Sequence, residues 1–255
     1  MIGAIAGDVI GSVHEHAPTR TTNFPLFQPH CRFTDDTVLT VATAFALLSG
    51  TPYDAAYRDF GRRYPDAGYG ASFYRWLWSP SPRPYNSWGN GAAMRISPVG
   101  FALADETLVL REAERSAAVT HDHEEGIKGG QATALAVFLA RTGNSREVIR
   151  TELAQRFGYD LDRRIEDIRP GYRWDVSCQG SVPEAIVAFL DSSSVEDTIR
   201  LAISLGGDAD TQACIAGGIA QGFYGEVPED IVAGVRGRLP AEFVEIIDAF
   251  EERFA

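Results

Sequence analysis

Apolar residues recur at intervals of three and four along most of this chain, and strict alternation of apolar and polar residues is nearly absent. The first spacing gathers apolar side chains on one face of a helix, whereas alternation is typical of a half-buried strand. The pattern therefore predicts an all-α fold. A helix of small residues is expected early in the segment 3–15, and further helices over 37–48, 52–64, 105–119, 126–141, 145–157, 182–190, 195–205, 211–223, 228–238 and 241–254.

The boundaries of these helices follow from residues that start or stop a helix. Thr34, Asp35 and Asp36 precede the apolar run 37–48 as capping residues do, and Gly50 follows that run. Asn144 is expected to cap the helix over 145–157 because asparagine is among the best N-cap residues.

Two stretches do not fit a helical pattern. Residues 65–90 are rich in Gly, Pro, Ser and aromatic side chains, and residues 159–180 mix charges with Tyr172 and Trp174. We expect both stretches to be surface loops that wall a cleft. Neither is polar enough to link two domains, so we predict one domain over residues 1–255.

Charge and cysteine content restrict the partners and the compartment. The 255 residues carry a formal net charge of -12, whereas tight binding to nucleic acid or to an anionic membrane needs a basic face. Cys31, Cys178 and Cys214 are few and widely spaced, as expected in a reducing cytosol. Neither a secretory signal nor a membrane-spanning run is evident, so we expect a cytoplasmic protein without membrane contact.

Two clusters of acidic residues and threonine stand where apolar helices are predicted to begin. They read Thr34-Asp-Asp-Thr37 and Asp208-Ala-Asp-Thr211, and the second follows two glycines. Carboxylate and hydroxyl oxygens are the hard ligands that Mg²⁺, Mn²⁺ or Ca²⁺ prefer. The alternative for each cluster is simple helix capping, because Thr and Asp are common N-cap residues. Two such clusters together favour a metal site.

Three further segments carry candidate chemistry. Glu15 is the next carboxylate after Asp8 in the small-residue segment 3–15, and a solvated helix-end glutamate is its alternative role. The glycine-rich turn 85–95 precedes a predicted helix start, which is an anion site in principle, and its Trp88 is a candidate for stacking on a base. The alternative is an ordinary turn with Trp88 in the core. The pair His121 and His123 has acidic neighbours, but no third histidine completes a zinc site, and a loop pair is the alternative.

Taken together, five segments resemble the ADP-ribosylglycohydrolase family, which includes the dinitrogenase-reductase-activating glycohydrolase and the hydrolases of ADP-ribosyl-arginine and ADP-ribosyl-serine. An early Thr-Asp-Asp combined with a late Gly-Gly-Asp-x-Asp-Thr is specific, whereas each half alone is not. The resemblance implies a compact orthogonal helical bundle with a dinuclear centre of two divalent cations, Mg²⁺ or alternatively Mn²⁺. The matching segments are 3–15, 33–37, 86–95, 120–130 and 206–217.

The resemblance also implies a role for each matching residue. Glu15 corresponds to a mobile glutamate that closes over the site in some members. The implied metal ligands are Thr34, Asp35, Asp36, Asp208, Asp210 and Thr211. The implied substrate-binding residues are Ser87, Trp88, Gly89, Asn90 and Gly91, which hold the diphosphate and distal nucleoside, and His121 near the ADP-ribose.

The implied reaction is hydrolysis of the N- or O-glycosidic bond between ADP-ribose and a modified acceptor, which is a protein side chain or another ADP-ribosylated substrate. The metals would hold the ribose hydroxyls and a water, and a carboxylate would accept the proton of that water. The catalytic candidates are Glu15, Asp35, Asp36 and Asp210. The choice of general base stays open, and so does the acceptor, whether arginine, serine, nucleic acid or a small molecule.

Three other classes of protein are consistent with parts of the sequence. One is a non-catalytic protein that binds ADP-ribose or a nucleotide on the same fold, and a second is a structural relative, as a lens crystallin is of this family. A third is a helical metal-dependent phosphohydrolase. The complete set of implied ligands favours the enzyme, and we expect a monomer with ADP-ribose as product. The negative net charge disfavours unmodified nucleic acid as a tight partner.

Overall fold

The computed structural model describes residues 1–254, which form fifteen helices. Within that range, the one backbone pairing of strand type is an isolated antiparallel bridge between Gly89 and Ser177. The all-α prediction is therefore confirmed. The helices are α1 (Ile2–Gly11), α2 (Asp35–Ser49), α3 (Tyr53–Arg63), α4 (Ala71–Trp78), α5 (Gly91–Met94), α6 (Ser97–Ala102), α7 (Glu106–Ala118), α8 (Glu124–Arg141), α9 (Arg146–Phe157), α10 (Ile165–Ile168), α11 (Cys178–Asp191), α12 (Val195–Ile203), α13 (Ala209–Tyr224), α14 (Glu229–Arg236) and α15 (Ala241–Phe254).

Helices α1 and α13 pack against each other at very short range, and glycines make this possible. A Cβ atom added at Gly7 would lie 2.0 Å from the carbonyl oxygen of Ala213. One added at Gly3 would lie 2.5 Å from the carbonyl oxygen of Gly217. Both distances are far shorter than van der Waals contact, so a larger residue would force the two backbones apart. The close packing brings the first turn of α13 next to the polar residue Asp8 of α1.

Helix α2 begins and ends at the residues that the sequence marks. The hydroxyl of Thr34 caps its first turn, and Gly50 ends it in the left-handed conformation with φ of 75°. The expectation for α9 is wrong by one residue, because Ser145 is its N-cap and accepts a hydrogen bond from the Val148 amide at 3.3 Å. The side chain of Asn144 instead donates to the Leu139 carbonyl at 2.9 Å, closing the end of α8.

Both stretches that the sequence assigns to loops contain helical residues, so those assignments are wrong in part. Within residues 65–90, α4 buries Phe73, Trp76 and Leu77, which are spaced three and four residues apart along one face. The glycines and prolines of this stretch lie before and after α4 and do not interrupt it. Within residues 159–180, α10 and the first turn of α11 form, and Ser177 caps α11 by accepting from the Gly180 amide at 3.0 Å.

The apolar core extends from α1 to α15 as one large cluster of buried side chains, with a smaller cluster around Ile96, Val99 and Val109. In the part of the chain that the structure describes, no helix has the length and apolar character that crossing a membrane requires. The organisation as one domain over residues 1–255 stays a prediction.

Candidate active site

Asp8 anchors the N-terminus of α2 to α1. It is fully buried, and its carboxylate accepts hydrogen bonds from the Thr34 amide at 2.9 Å and the Thr34 hydroxyl at 2.6 Å. It also accepts from the Thr37 amide at 3.1 Å and from the Thr37 hydroxyl. Asp8 therefore fixes where α2 begins. The motifs of the sequence assign no role to Asp8, although a lone aspartate inside an otherwise apolar helix is a signal for such a buried anchor.

The structure brings the two acidic clusters of the sequence together. The Thr211 hydroxyl lies 3.3 Å from Oδ2 of Asp36, although the two residues are 175 positions apart in the chain. Carboxylate oxygens of Asp8, Asp36 and Asp210 lie within 4.8 Å of one another, and so do those of Glu15, Asp208 and Asp210. We call Glu15, Asp35, Asp36, Asp208 and Asp210 the acidic wall. Asp210 belongs to both groups, which joins them into one site.

One carboxylate oxygen of the acidic wall is buried without a hydrogen-bond donor from the described part of the protein. Oδ1 of Asp36 is buried and has no hydrogen-bond partner among the described residues. A buried carboxylate oxygen without a donor is costly unless a cation or a proton compensates it. The donor set of carboxylate and hydroxyl oxygens is also the set that Mg²⁺ and Mn²⁺ prefer. The residues present therefore fit a divalent cation.

Crowding and burial raise the pKa of the carboxyl groups in this wall. Burial, followed by the charge of Asp8, raises the pKa of Asp35 to about 8. Burial first, and neighbouring carboxylates second, raise the pKa of Asp36 and of Asp210 well above their ordinary value. Burial also raises the pKa of Glu15 and Asp208. Without a cation, these groups hold protons at a pH where isolated carboxyl groups are ionised.

The hydroxyls of Thr34 and Thr211 bond to the clustered carboxylates, whereas the Asp35 carboxylate lies apart from them. The hydroxyl of Thr34 donates to Asp8 and accepts from the Asp36 amide, and the hydroxyl of Thr211 donates to Asp36, so each oxygen keeps at least one lone pair for a cation. Asp35 is partly exposed and lies outside both groups of mutually close carboxylates, although it lines the same cavity. Its amide donates to the Ala67 carbonyl at 2.9 Å, which fixes the start of α2 from the other side.

The turn that leads to Asp208 is held by residues whose role no sequence pattern indicates. The ring of Tyr172 lies over Gly207, where an added Cβ would be 2.3 Å from Cε1 of the ring. The Tyr172 hydroxyl accepts from Nε2 of Gln212 at 2.7 Å, and Nη2 of Arg20 donates to the Tyr172 carbonyl at 2.8 Å. This network ties the loop 159–180 to the turn before α13. No local sequence signal links these residues, because the contacts join distant segments.

A second wall of the cavity, which we call the loop wall, consists of Ser87, Gly89, Asn90, Gly91 and His121. Asn90 connects the two walls, because its Nδ2 donates to Oδ2 of Asp208 at 2.7 Å. Its amide donates to the Val176 carbonyl at 2.8 Å, which pairs the glycine-rich turn with the segment before α11. A Cβ atom at Gly91 would lie 3.0 Å from Nε2 of His121, so the absence of a side chain lets the imidazole reach the turn.

The tryptophan that lines the cavity is not the one that the sequence selects as a substrate-binding residue. Trp88 is 48% exposed and does not line the cavity, whereas Trp174, also 48% exposed, does. The Trp174 ring stacks on that of His16 with 6.1 Å between ring centroids. Tyr85 and Phe73 complete the aromatic lining. Trp88 keeps its place beside the turn through its carbonyl, which accepts from the Cys178 amide at 2.9 Å.

The two histidines of the predicted pair have separate positions. His121 is buried and lines the cavity, whereas Nδ1 of His123 accepts from the Glu125 amide at 3.1 Å and caps α8. The pair therefore does not form a joint metal site. The cavity that the acidic wall and the loop wall enclose has a volume of about 420 Å³, within the range of small-molecule sites.

Known proteins resemble this chain over nearly its whole length. The sequence model of the family described as ADP-ribosylglycohydrolase matches residues 1–255. The ADP-ribosylhydrolase ARH3 of Mus musculus is 28% identical over 312 residues, which span 90% of this chain and 84% of the mouse protein. That of Homo sapiens is also 28% identical and spans 90% of this chain and 86% of the human protein.

A solved structure has the same fold. It is described as an ADP-ribosylglycohydrolase-related protein complex and superposes with a TM-score of 0.77 at 24% identity, covering 100% of this chain and 97% of its own. The acidic and loop walls use the same segments that carry the sequence resemblance. The chain belongs to the ADP-ribosylglycohydrolase family, and these matches identify it as a glycohydrolase enzyme.

Proposed function

We propose that this chain is a metal-dependent hydrolase that cleaves the glycosidic bond between ADP-ribose and a modified acceptor and releases ADP-ribose. The observation that carries the proposal is the pairing of the two walls in one cavity. The acidic wall suits divalent cations, and the loop wall offers backbone and side-chain donors for a diphosphate. Asn90 contacts Asp208, so the two walls meet. A ligand with ribose hydroxyls at one end and a diphosphate beyond them matches the sequence of the acidic wall and then the loop wall across the cavity.

The proposed metal ligands are those that the sequence resemblance implies, Thr34, Asp35, Asp36, Asp208, Asp210 and Thr211. Two observations support two cations: two groups of mutually close carboxylates, and their shared member Asp210. When bound, divalent cations polarise ribose hydroxyls and make a bound water a better nucleophile at neutral pH. Mg²⁺ is the first choice and Mn²⁺ the alternative, since both take oxygen ligands. Asp8 positions Thr34 and leaves its own oxygens hydrogen-bonded.

The side chains of this site have separable tasks in the proposed reaction. Glu15 and Asp35 are partly exposed, whereas Asp36 and Asp210 are buried, and all four line the same cavity. A carboxylate among Glu15, Asp36 and Asp210 accepts the proton of the attacking water. The negative charge of the wall also stabilises the positive charge that develops on the ribose ring as the glycosidic bond breaks.

The residues of the two walls are assigned to the ADP-ribose part of the substrate and not to the acceptor. The acceptor is a protein side chain, such as serine or arginine, or another ADP-ribosylated molecule. We also propose a cytoplasmic location, supported by the absence of disulfides: Cys31, Cys178 and Cys214 are all free and buried. The monomeric state stays a prediction.

The experiment compares chelated and metal-loaded protein on two peptides, one ADP-ribosylated on serine and the other on arginine. Released ADP-ribose is separated by chromatography and quantified by mass spectrometry. We expect release from at least one peptide with Mg²⁺ or Mn²⁺ and none after chelation. Asp36→Asn should lose the activity, and Asp54→Asn, on the exposed start of α3, should retain it.

The same experiment separates the proposal from its alternatives. Tight binding of ADP-ribose in calorimetry without turnover of any linkage would identify a non-catalytic binding protein. Release of phosphate without release of ADP-ribose would identify a phosphohydrolase. Equal activity of chelated and metal-loaded protein would contradict the metal-dependent mechanism.

A further inference from the structure

Arg95 carries a buried positive charge that no carboxylate balances in the described part of the chain. Its side chain is 0% exposed, and its guanidinium lies over the ring of Tyr57 at 4.3 Å. Its Nη2 donates to the Ser116 carbonyl at 2.9 Å and to the Thr120 hydroxyl at 3.0 Å. Its Nε and Nη1 have no hydrogen-bond partner. A guanidinium stays charged at any pH a protein experiences, so this site keeps an uncompensated cation.

The position of Arg95 places this positive charge close to the proposed anion-binding surface. Arg95 follows α5, the short helix that the glycine-rich turn leads into, and it borders the same cavity as the loop wall. It therefore lies beneath the surface that we assign to an anionic group. A buried cation in surroundings of low polarity acts strongly on an anion nearby, because water does not screen it.

A chain of hydrogen bonds connects Arg95 to the imidazole of His121. Arginine only donates, so the Thr120 oxygen is the acceptor of the bond from Nη2. The hydroxyl hydrogen of Thr120 is then free to point at Nδ1 of His121, which lies 2.7 Å away. With Nδ1 as acceptor, the proton of the neutral ring is on Nε2. Nε2 is the atom that faces Gly91 and Gly89 of the turn.

The surroundings of His121 favour the neutral ring over the charged one. Burial first, and the charge of Arg95 second, hold the pKa of His121 well below its ordinary value. The other titratable ring that packs on it is that of Tyr85, with 6.0 Å between ring centroids. Burial raises the pKa of Tyr85 to about 12, so it stays neutral. The reverse tautomer would direct a lone pair at the bound anion.

We propose that Arg95 is a positioning residue, which acts through Thr120 to hold His121 as the Nε2–H tautomer that donates to an oxygen of the bound diphosphate. The diphosphate itself rests on the proposed function, whereas the tautomer does not. We call the hydrogen-bond chain from Arg95 through Thr120 to His121 the relay. It keeps the neutral imidazole of His121 as a hydrogen-bond donor, and the positive charge of Arg95 attracts the bound anion from below.

The first test measures the tautomer in the metal-free protein, independently of activity. Protein labelled with ¹⁵N at histidine is studied by two-bond ¹H–¹⁵N spectroscopy between pH 6 and 8, and the His121 signals are identified by their loss in His121→Gln. We expect a neutral ring with the proton on Nε2. Thr120→Val and Arg95→Met should each mix or reverse the tautomers, and Thr120→Ser should preserve the wild-type form. A proton on Nδ1, a charged ring at pH 7, or an unchanged spectrum in Thr120→Val would overturn the relay.

The second test measures the affinity for ADP by calorimetry, with circular dichroism as the check that each variant is folded. We expect Thr120→Val to bind ADP roughly tenfold more weakly, the scale of one hydrogen bond to a charged group, and Thr120→Ser to bind like wild type. Equal affinity of Thr120→Val and wild type would overturn the assigned role. If the wild type binds no ADP while the Nε2–H tautomer is observed, the relay stands and the proposed function fails.

Discussion

The acidic wall and the loop wall share one cavity but are built in opposite ways. The acidic wall stacks carboxylates at the starts of α2 and α13, and burial raises the pKa of its members. The loop wall contains no carboxylate of its own, and the guanidinium of Arg95 lies beside His121, although Asn90 reaches across to bond Asp208 of the acidic wall. The acidic wall therefore needs cations to balance its negative charge, whereas the loop wall suits an anion. We therefore expect a substrate that carries both hydroxyls and a diphosphate to bind in one orientation, with its hydroxyls at the acidic wall and its diphosphate at the loop wall.

The two walls also differ in how they are supported. The acidic wall depends on helix packing, because Gly7 and Gly3 let α1 approach α13 and so bring Asp8 near Asp210. The loop wall depends on hydrogen bonds between loops, such as the bond from the Asn90 amide to Val176. Substitutions in the helices should therefore change stability, whereas substitutions at the loop wall should mainly change binding.

The largest effect is expected from removing the carboxylate that the two groups share. Asp210→Asn keeps the shape of the side chain and removes its charge, so turnover should fall on the order of 10²–10³-fold or more, the scale of losing one transition-state contact. Release of ADP-ribose under saturating Mg²⁺ measures it. Asp54→Asn, a matched change at an exposed position, is the control, and equal activity of the two variants would disprove the role of the acidic wall.

The next effect tests the helix packing beneath the acidic wall. Gly7→Val places atoms where the Ala213 carbonyl lies 2.0 Å away, so α1 and α13 must separate. We expect a loss of at least about 3 kcal/mol in the free energy of unfolding, the upper part of the overpacking range. Urea denaturation followed by circular dichroism measures the loss.

Gly70→Ala is the matched control for that substitution, because no atom lies within 4 Å of its added Cβ and its φ is not positive. Its free energy of unfolding should stay within about 1 kcal/mol of wild type. If Gly7→Val is as stable as Gly70→Ala, the close packing of α1 and α13 does not support the site.

Metal binding should raise the melting temperature of the protein. Cations bind the folded acidic wall and not the unfolded chain, so at about 100 times the dissociation constant the gain is about 2.7 kcal/mol. For a chain of this size that corresponds to roughly 5–10 °C. Differential scanning calorimetry with Mg²⁺, with Mn²⁺ and with chelator measures the shift. Asp210→Asn should lose most of the shift, and a full shift in that variant would contradict the assigned ligands.

Without metal, the stability of the protein should fall as the pH rises. The pKa of Asp35 is about 8 in the folded protein and 3.8 ordinarily, so between these values the folded state holds a proton that the unfolded state releases. Its contribution is complete below the ordinary value and is lost as the pH passes about 8. Urea midpoints from pH 5 to 9 in chelator measure this loss. Asp35→Asn should flatten the curve, and a wild-type midpoint that rises with pH would refute the crowding of the acidic wall.

The smallest effect separates two tryptophans that are equally exposed. Trp174 lines the cavity and Trp88 does not, so Trp174→Ala should weaken ADP-ribose binding roughly tenfold, the scale of one stacked base. Trp88→Ala should weaken it less. Calorimetry measures both, and Trp78→Ala, which is 50% exposed and away from the cavity lining, is the control. A larger loss for Trp88→Ala would restore the sequence expectation that Trp88 stacks on the substrate.

The sequence predicts the fold class and the core of the acidic wall well, because these depend on local patterns. Periodic apolar positions mark most helices, and Thr34 and Gly50 mark the ends of α2. The helix α4 escapes prediction because flanking glycines and prolines hide its short apolar face. Within the eight residues of α4, the spacing of the apolar side chains decides the structure, although the composition of the surrounding stretch indicates a loop.

The parts of the site that sequence reasoning misses depend on contacts between distant segments. Asp8 meets Thr34 only because α1 lies against the start of α2, and Tyr172 meets Gly207 only because a loop folds back. Arg95 resembles any arginine after a helix until its burial beside His121 is known. Trp88 is a strong aromatic candidate in sequence, yet the turn directs it away from the cavity, whose lining includes Trp174.

The central claim is that the acidic wall holds divalent cations while the loop wall holds the diphosphate of ADP-ribose. A crystal structure with Mn²⁺ and ADP-ribose, recorded at a wavelength where manganese scatters anomalously, tests it most directly. We predict two anomalous peaks among Asp36, Asp208 and Asp210, with the diphosphate within hydrogen-bond distance of the turn 87–91 and of Nε2 of His121. Absence of both peaks with ADP-ribose bound, or a diphosphate lying against the acidic wall, would contradict the account.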